Sequence, residues 1–244
     1  TYETSYSKID GLNFNLININ SLKISSKDKK LVDISLKIDS SLALIGESGS
    51  GKSLTLKAIL NLLPESLKIE KNIESNFELN FNTIGFIPQN PFTSLSSMTK
   101  IKNQIFCSHE KKEETFKLLD LPLEILEKYP SQISGGQTQR VVIAIALSRD
   151  IKFLLLDEPT TSLDLENRLN IINIIKDLKE KLDIKILFVT HDIDSITDIC
   201  EDVAIIKNGK IVEFGKTKEI FQNPKDEYTK KLLDSNFKNK KFRT

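Results

Sequence analysis

The chain has 244 residues, 39% of them hydrophobic, enough to bury one large core or a core with a satellite subdomain. A formal net charge of +1 exerts no global pull on nucleic acid, so no nucleic-acid partner is expected. Cys107 and Cys200 are far apart and lack metal-ligand spacing, which speaks against a disulfide framework and suits a reducing cytosol; with no secretory signal and a longest apolar run of only Val141 to Leu147, well under the roughly 20 residues that span a bilayer, the chain is expected to reach a membrane only through partners.

From Leu16 to Ile38 apolar and polar residues alternate loosely around a Ser-Lys-Asp-Lys-Lys tract at 26–30, which predicts an antiparallel hairpin beside a main sheet. Ser41 to Ile45 is a short apolar run, the signature of a buried strand, and Leu54 to Leu63 has the apolar spacing of a helix ending before Pro64. Between them Gly46-Glu47-Ser48-Gly49-Ser50-Gly51-Lys52-Ser53 fits the spacing GxxxxGK[ST] at every fixed position. Glycines let successive N–H groups turn inward on phosphates, and the following helix adds the positive end of its dipole. Lys52 is expected to reach the β- and γ-phosphates and the Ser53 hydroxyl to coordinate Mg²⁺.

The polar tract Glu65 to Asn82 predicts a loop and an edge strand. From Asn90 to Asp150 the pattern turns helical, at Glu113 to Leu119, Leu123 to Lys128 and Thr138 to Arg149. Ser134-Gly135-Gly136-Gln137 precedes the last of these. At a helix N-terminus Ser134 and the N–H groups of the two glycines form an anion site.

Phe153 to Leu156 is a continuous apolar run of the kind a parallel strand buried on both faces requires, and it delivers Asp157 and Glu158 where open α/β sheets place their ligands. Asp157 is expected to hold Mg²⁺ through water and Glu158 to polarise the attacking water as general base. Neighbouring strand residues face opposite ways, so two roles need a turn, which Pro159 supports. Leu165 to Leu182 has the pattern of an amphipathic helix and Ile184 to Val189 that of a third buried strand, after which His191 is placed to bond a γ-phosphate. Asp202 to Ile206 and Lys210 to Phe214, joined by Asn208-Gly209, predict a hairpin. His109, in a polar stretch, is expected to be a solvated surface residue.

Taken together these motifs resemble the nucleotide-binding subunit of an ABC transporter over residues 16–233. The phosphate loop matches the Walker A motif, Phe153 to Asp157 Walker B and Glu158 the catalytic glutamate. Gln89, in Ile87-Pro88-Gln89-Asn90-Pro91, matches the Q-loop, Ser162-Leu163-Asp164 the D-loop and His191 the switch histidine. Ile133 to Gln137 stands for the LSGGQ signature with Ile in place of Leu. The resemblance implies an α/β fold: a P-loop NTPase core, RecA-like, with an antiparallel β subdomain and an inserted α-helical subdomain.

On this reading residues 1–244 are a single cassette, with core segments 1–89 and 151–244 and a helical part at 90–150. Catalytic roles fall to Glu158, His191 and Gln89, phosphate binding to Gly46, Glu47, Ser48, Gly49, Ser50, Gly51, Lys52 and Ser53 with Asp157, and Mg²⁺ to Ser53, Gln89 and Asp157. Contact with a partner's ATP falls to Ser134, Gly135, Gly136, Gln137 and Asp164.

Asn90-Pro91-Phe92-Thr93-Ser94-Leu95, Tyr129-Pro130-Ser131-Gln132, and Asn223-Pro224 followed by Tyr228-Thr229 and Leu232-Leu233 are similar to the ATPases of bacterial peptide and nickel importers. The chain has no cysteine-rich segment in the eleven residues after Leu233, which resembles the nickel-type members. The implied partners are a second ATPase subunit, the same or paralogous, two transmembrane permeases and an extracytoplasmic binding protein, with this chain peripheral on the cytoplasmic face of the inner membrane. A soluble non-transport relative in repair or translation would need a long coiled-coil insertion or a second cassette, and the sequence has neither. Many family members stack adenine on an aromatic residue ahead of the phosphate loop; Lys23 to Lys30 holds none, and Phe14 is the nearest earlier one.

Overall fold

The computed structural model describes residues 16–27, 29–161 and 163–240. In chain order the elements are β1 (Ile17–Ser25), β2 (Lys30–Ile38), β3 (Ser41–Ile45), α1 (Lys52–Ile59), β4 (Lys68–Ser75), β5 (Ile84–Ile87), α2 (His109–Leu118), α3 (Gly135–Leu147), β6 (Phe153–Asp157), α4 (Leu165–Lys181), β7 (Lys185–Thr190), β8 (Asp202–Lys207), β9 (Lys210–Lys216), α5 (Thr217–Gln222) and α6 (Glu227–Lys240). Phe14 and Ser162 lie outside the described residues. Among the described residues no helix is long and apolar enough to cross a membrane.

The main sheet has the order β5-β6-β7-β3-β8-β9, parallel except for β9, which closes the β8–β9 hairpin at the edge. Its strands are continuous apolar runs because both faces are covered, and the two-residue period of a strand divides each between two cores. Leu42 and Leu44 of β3, Phe153 and Leu155 of β6, and Leu187 and Val189 of β7 enter one cluster with the β1–β2 hairpin and α1. Ala43 and Ile45, Leu154 and Leu156, and Ile186 and Phe188 enter the other, with α3, α4 and the apolar residues of 95–126. The second sheet, β2-β1-β4, is antiparallel and places β4 at its edge, as the polar tract predicts.

Several helices depart from the periodicity. The first helix ends at Ile59 and not Leu63, because Asn61 takes a left-handed conformation (φ 58°) and reverses the chain. Leu62 N–H then bonds the Lys57 carbonyl (2.8 Å) and Asn61 N–H the Ala58 carbonyl (3.3 Å), the paired bonds of a Schellman stop. The second begins earlier than Glu113, at His109, because the Ser108 hydroxyl accepts from Lys111 N–H and caps it; His109 sits exposed on its first turn, beside Glu113. Leu123 to Glu127 forms a 3-10 turn in place of an α-helix.

Both cysteines are free, Cys107 half-buried and Cys200 inside the core, where burial pushes its thiol well above the usual range. Since the thiolate is the reactive form, native protein is expected to consume one equivalent of a thiol reagent rapidly at pH 8 and a second only in denaturant. Two fast equivalents would show that the floor of the core around Ile199 and Cys200 opens freely.

Candidate functional site

The phosphate loop runs from the end of β3 into α1. Gly46, Ser50, Gly51 and Lys52 form its buried base, while Glu47, Ser48 and Gly49 form an exposed arc. Glycine is required at Gly46 for space, since a Cβ there would lie 2.3 Å from the Ile206 carbonyl oxygen of β8. Gly51 needs its freedom for conformation, with φ 112° just before the first turn of α1. The Asn208–Gly209 turn props the loop from behind, Gly209 N–H donating to the Ser50 carbonyl (2.8 Å) and its own carbonyl accepting from Asp33 N–H (2.7 Å). Both turn residues have positive φ, the geometry of a two-residue hairpin turn.

Lys52 is only 5% exposed and donates to the Gly46 (2.7 Å) and Glu47 (3.0 Å) carbonyls. Burial draws its ammonium below the usual lysine range, partly offset by Glu158, Asp157 and Glu47. Asp157, at the end of β6, accepts from the Ser53 hydroxyl at 3.2 Å, and burial raises its carboxyl above the ordinary value against that bond.

Glu158 turns the chain itself. Its φ of 48° is a left-handed conformation costly for a residue with a side chain, and its N–H donates to the Val189 carbonyl of β7 (2.8 Å). The turn required for two adjacent carboxylates to serve two roles therefore falls at Glu158, one residue before Pro159. Two donors converge on one oxygen, Oε2, Gln89 Nε2 at 3.2 Å and the Thr161 hydroxyl at 3.1 Å, and His191 Nδ1 lies 3.1 Å from the same oxygen. Oε1 carries none of these bonds. Gln89 thus meets Glu158 through its amide nitrogen, which leaves its oxygen available to a cation.

The structure brings Lys52, Ser53, Gln89, Asp157, Glu158 and His191 into this one cluster. It also supplies residues to which sequence reasoning gave no role. Thr161 is one, and a second is the Asp192 carboxylate, which takes bonds from Arg168 of α4 and Ser195 just after the His191 corner. A third is Tyr228, 181 residues away, whose hydroxyl accepts from Glu47 N–H. The Thr-Thr pair after Pro159 and the Tyr-Thr pair were visible as residues, but their contacts depend on the fold.

The Ser-Gly-Gly-Gln motif forms the cap and first turn of α3, three residues earlier than periodicity places that helix. Ser134 Oγ accepts from Gln137 N–H (3.2 Å) while Gln137 Oε1 accepts from Ser134 N–H (3.1 Å), a capping box that leaves Gly135 and Gly136 to present the helix N-terminus. Asp164 caps α4 in turn, accepting from Asn167 N–H (2.9 Å) and from the Asn167 amide (2.7 Å). These two helix ends touch, because a Cβ on Gly136 would lie 2.2 Å from Asn167 Oδ1. Helix propensity alone would make Gly136→Ala stabilising by up to ~1 kcal/mol. The clash is expected to reverse that sign in urea unfolding, and adding Asn167→Ala should restore stability, with a coupling of about 0.5–3 kcal/mol.

The residues fit a nucleotide and a hard cation. Ser50 Oγ is buried in the loop without a partner, and the exposed arc is open at Gly49, where a Cβ would meet nothing within 4 Å. Ser53 Oγ, Gln89 Oε1 and Asp157 form an all-oxygen set with one carboxylate, and among the described residues no cluster of three or more His, Cys, Asp or Glu could cage a metal unaided. That is the pattern of Mg²⁺ held jointly by protein, water and phosphate.

The family model for ABC transporters matches residues 30–161. The chain is 38% identical over 232 residues to the oligopeptide transport ATP-binding protein of Bacillus subtilis strain 168, covering 84% of this chain and 65% of that protein. It is 33% identical over 244 residues to the oligopeptide transport ATP-binding protein of Lactococcus lactis subsp. cremoris SK11, covering 88% and 72%. Among solved structures, the dimeric ATP-binding cassette MJ0796, with ADP and Pi bound, superposes with a TM-score of 0.68 at 25% identity over 82% of this chain and 98% of that one.

Proposed function

This chain belongs to the ABC transporter family of ATP-binding, ATP-hydrolysing subunits, and we propose that it powers the import of an oligopeptide or dipeptide. The observation that carries the catalytic part is the convergence of Gln89, Thr161 and His191 on Glu158 Oε2. A carboxylate held by two donors on one oxygen, with an imidazole against that same oxygen, has a fixed orientation and keeps the other oxygen to take a proton from water.

In this reading the loop N–H groups and Lys52 bind the phosphates, while Gln89 and His191 hold Glu158 in place. Ser53 and Gln89, with Asp157 through water, would hold a Mg²⁺ ion, whose charge would offset that of the phosphates. Gly135 and Gly136, with Ser134, Gln137 and Asp164 around them, face the ATP of a second subunit, same or paralogous. Residues 90–150 act as the helical part of the cassette. Two permeases and an extracytoplasmic binding protein complete the importer, and the chain sits peripherally on the cytoplasmic face of the membrane.

The peptide assignment is supported by the oligopeptide relatives. Between Lys52 and Ser134 the longest helix is α2, of 10 residues, which gives no support to a repair-type coiled-coil arm. The test is ATP hydrolysis by the complex reconstituted with its neighbouring permeases and binding protein. Stimulation by di- or oligopeptides is expected, and stimulation by a nickel complex alone would overturn the substrate assignment.

A further inference from the structure

The first turn of the phosphate loop is tied to the far end of the chain. Glu47 N–H, at the leading edge of the exposed arc, donates to the Tyr228 hydroxyl at 3.0 Å. Tyr228 is 8% exposed on the first turn of α6, and the Lys207 ammonium lies 4.7 Å above its ring. Burial keeps the phenol protonated and well able to accept this bond. The support beneath the tyrosine is firm. Asp226 Oδ1 accepts from Tyr228 N–H (2.8 Å), and the Glu213 carboxylate on β9 accepts from Lys225 N–H (2.8 Å) and Asp226 N–H (3.2 Å). Leu232 and Leu233 then bury the next turn in the core.

The remaining supports of the loop are at other points. Gly209 holds Ser50 from behind, and Ile206 crowds Gly46. Without the tyrosine hydroxyl, Glu47 N–H loses the partner that fixes its direction, while the Glu47 carbonyl still receives Lys52. A binding site that adopts its competent shape for only a fraction of the time binds more weakly by that fraction.

We propose that Tyr228 is a positioning residue for the phosphate loop: its hydroxyl fixes the Glu47 peptide, so that the C-terminal helix sets the affinity of the site for phosphate groups. This rests on the ATP-site reading above.

The test compares Tyr228→Phe with the unaltered chain, measuring Mg-ATP and Mg-ADP affinity by calorimetry and KM and kcat in the assembled complex. Loss of one hydrogen bond to a part-buried N–H is expected to raise both dissociation constants and KM for ATP roughly tenfold. The same variant should hold kcat within about twofold, because the reacting groups around Glu158 are untouched. A merely structural role would instead lower thermal stability and kcat together and leave KM unchanged, which would overturn the proposal. Should the Phe variant fail to fold, Lys207→Met keeps the hydroxyl but removes the cation over the ring. A few-fold weaker ATP binding supports the proposal, and unchanged binding overturns it. Equal ATP affinity in Tyr228→Phe and the parent sinks this inference alone, whereas a parent chain that binds no ATP sinks the functional reading with it.

Discussion

Glu158→Gln is expected to lower ATP turnover by at least ~10²-fold while ATP binding persists. The substitution keeps the size of the side chain and leaves Lys52, Ser53 and Asp157 as they are. It removes the carboxylate whose Oε2 gathers Gln89, Thr161 and His191, and with it the proposed general base. Phosphate release by the assembled complex measures the first effect and nucleotide displacement the second. Activity above about a tenth of the parent's would remove Glu158 from the role of general base. Because bound ATP then persists, the same variant should close onto its partner subunit at saturating ATP. A variant that stays monomeric there, even beside its paralogue, would end the idea that Ser134 to Gln137 serve a neighbour's site.

The second large effect lies at Gly209. Its φ of 75° costs a residue with a Cβ about 1–2 kcal/mol. A Cβ would also stand 2.0 Å from the Leu31 carbonyl oxygen and 2.7 Å from its carbon, both backbone atoms that cannot swing aside. Gly209→Ala must therefore part the turn from β2 and from Ser50, and a loss of about 3 kcal/mol or more is expected, among the larger single-site effects. Urea unfolding measures the loss, and ATP affinity of the folded fraction should fall with it. A change under about 1 kcal/mol would show that the turn can slide away from β2 at little cost.

Much of this architecture was legible because local chemistry and tertiary demand agree. The apolar runs Ser41 to Ile45 and Phe153 to Leu156 admit only a strand covered on both faces, and the glycines of 46–51 with Lys52 admit few loops other than a phosphate cradle. The end of α1 was not legible, since Leu60, Leu62 and Leu63 continue the helical pattern and only Asn61, a residue tolerant of left-handed backbone, signals the stop. The start of α3 was hidden because two glycines are poor helix formers and only the Ser134–Gln137 capping box gathers them in. Thr161 and Tyr228 belong to a different case. Their partners are set by where β6 turns and where α6 docks, and no spacing in the chain carries that information.

The order of strands in the main sheet has a consequence for synthesis. β3 lies between β7 and β8, and the loop that follows it leans on Gly209 and on Tyr228, the last of these 181 residues beyond Glu47. At about 5–20 residues per second, a ribosome takes roughly 10–35 s to travel from the loop to that tyrosine. For most of this interval β3 lacks both neighbours, which begin at Lys185 and Asp202, and the loop lacks its tyrosine prop until the end. Nucleotide can therefore stabilise only chains in which β7, β8 and the Gly209 turn have already been made, and it holds them most tightly once Tyr228 has joined the loop.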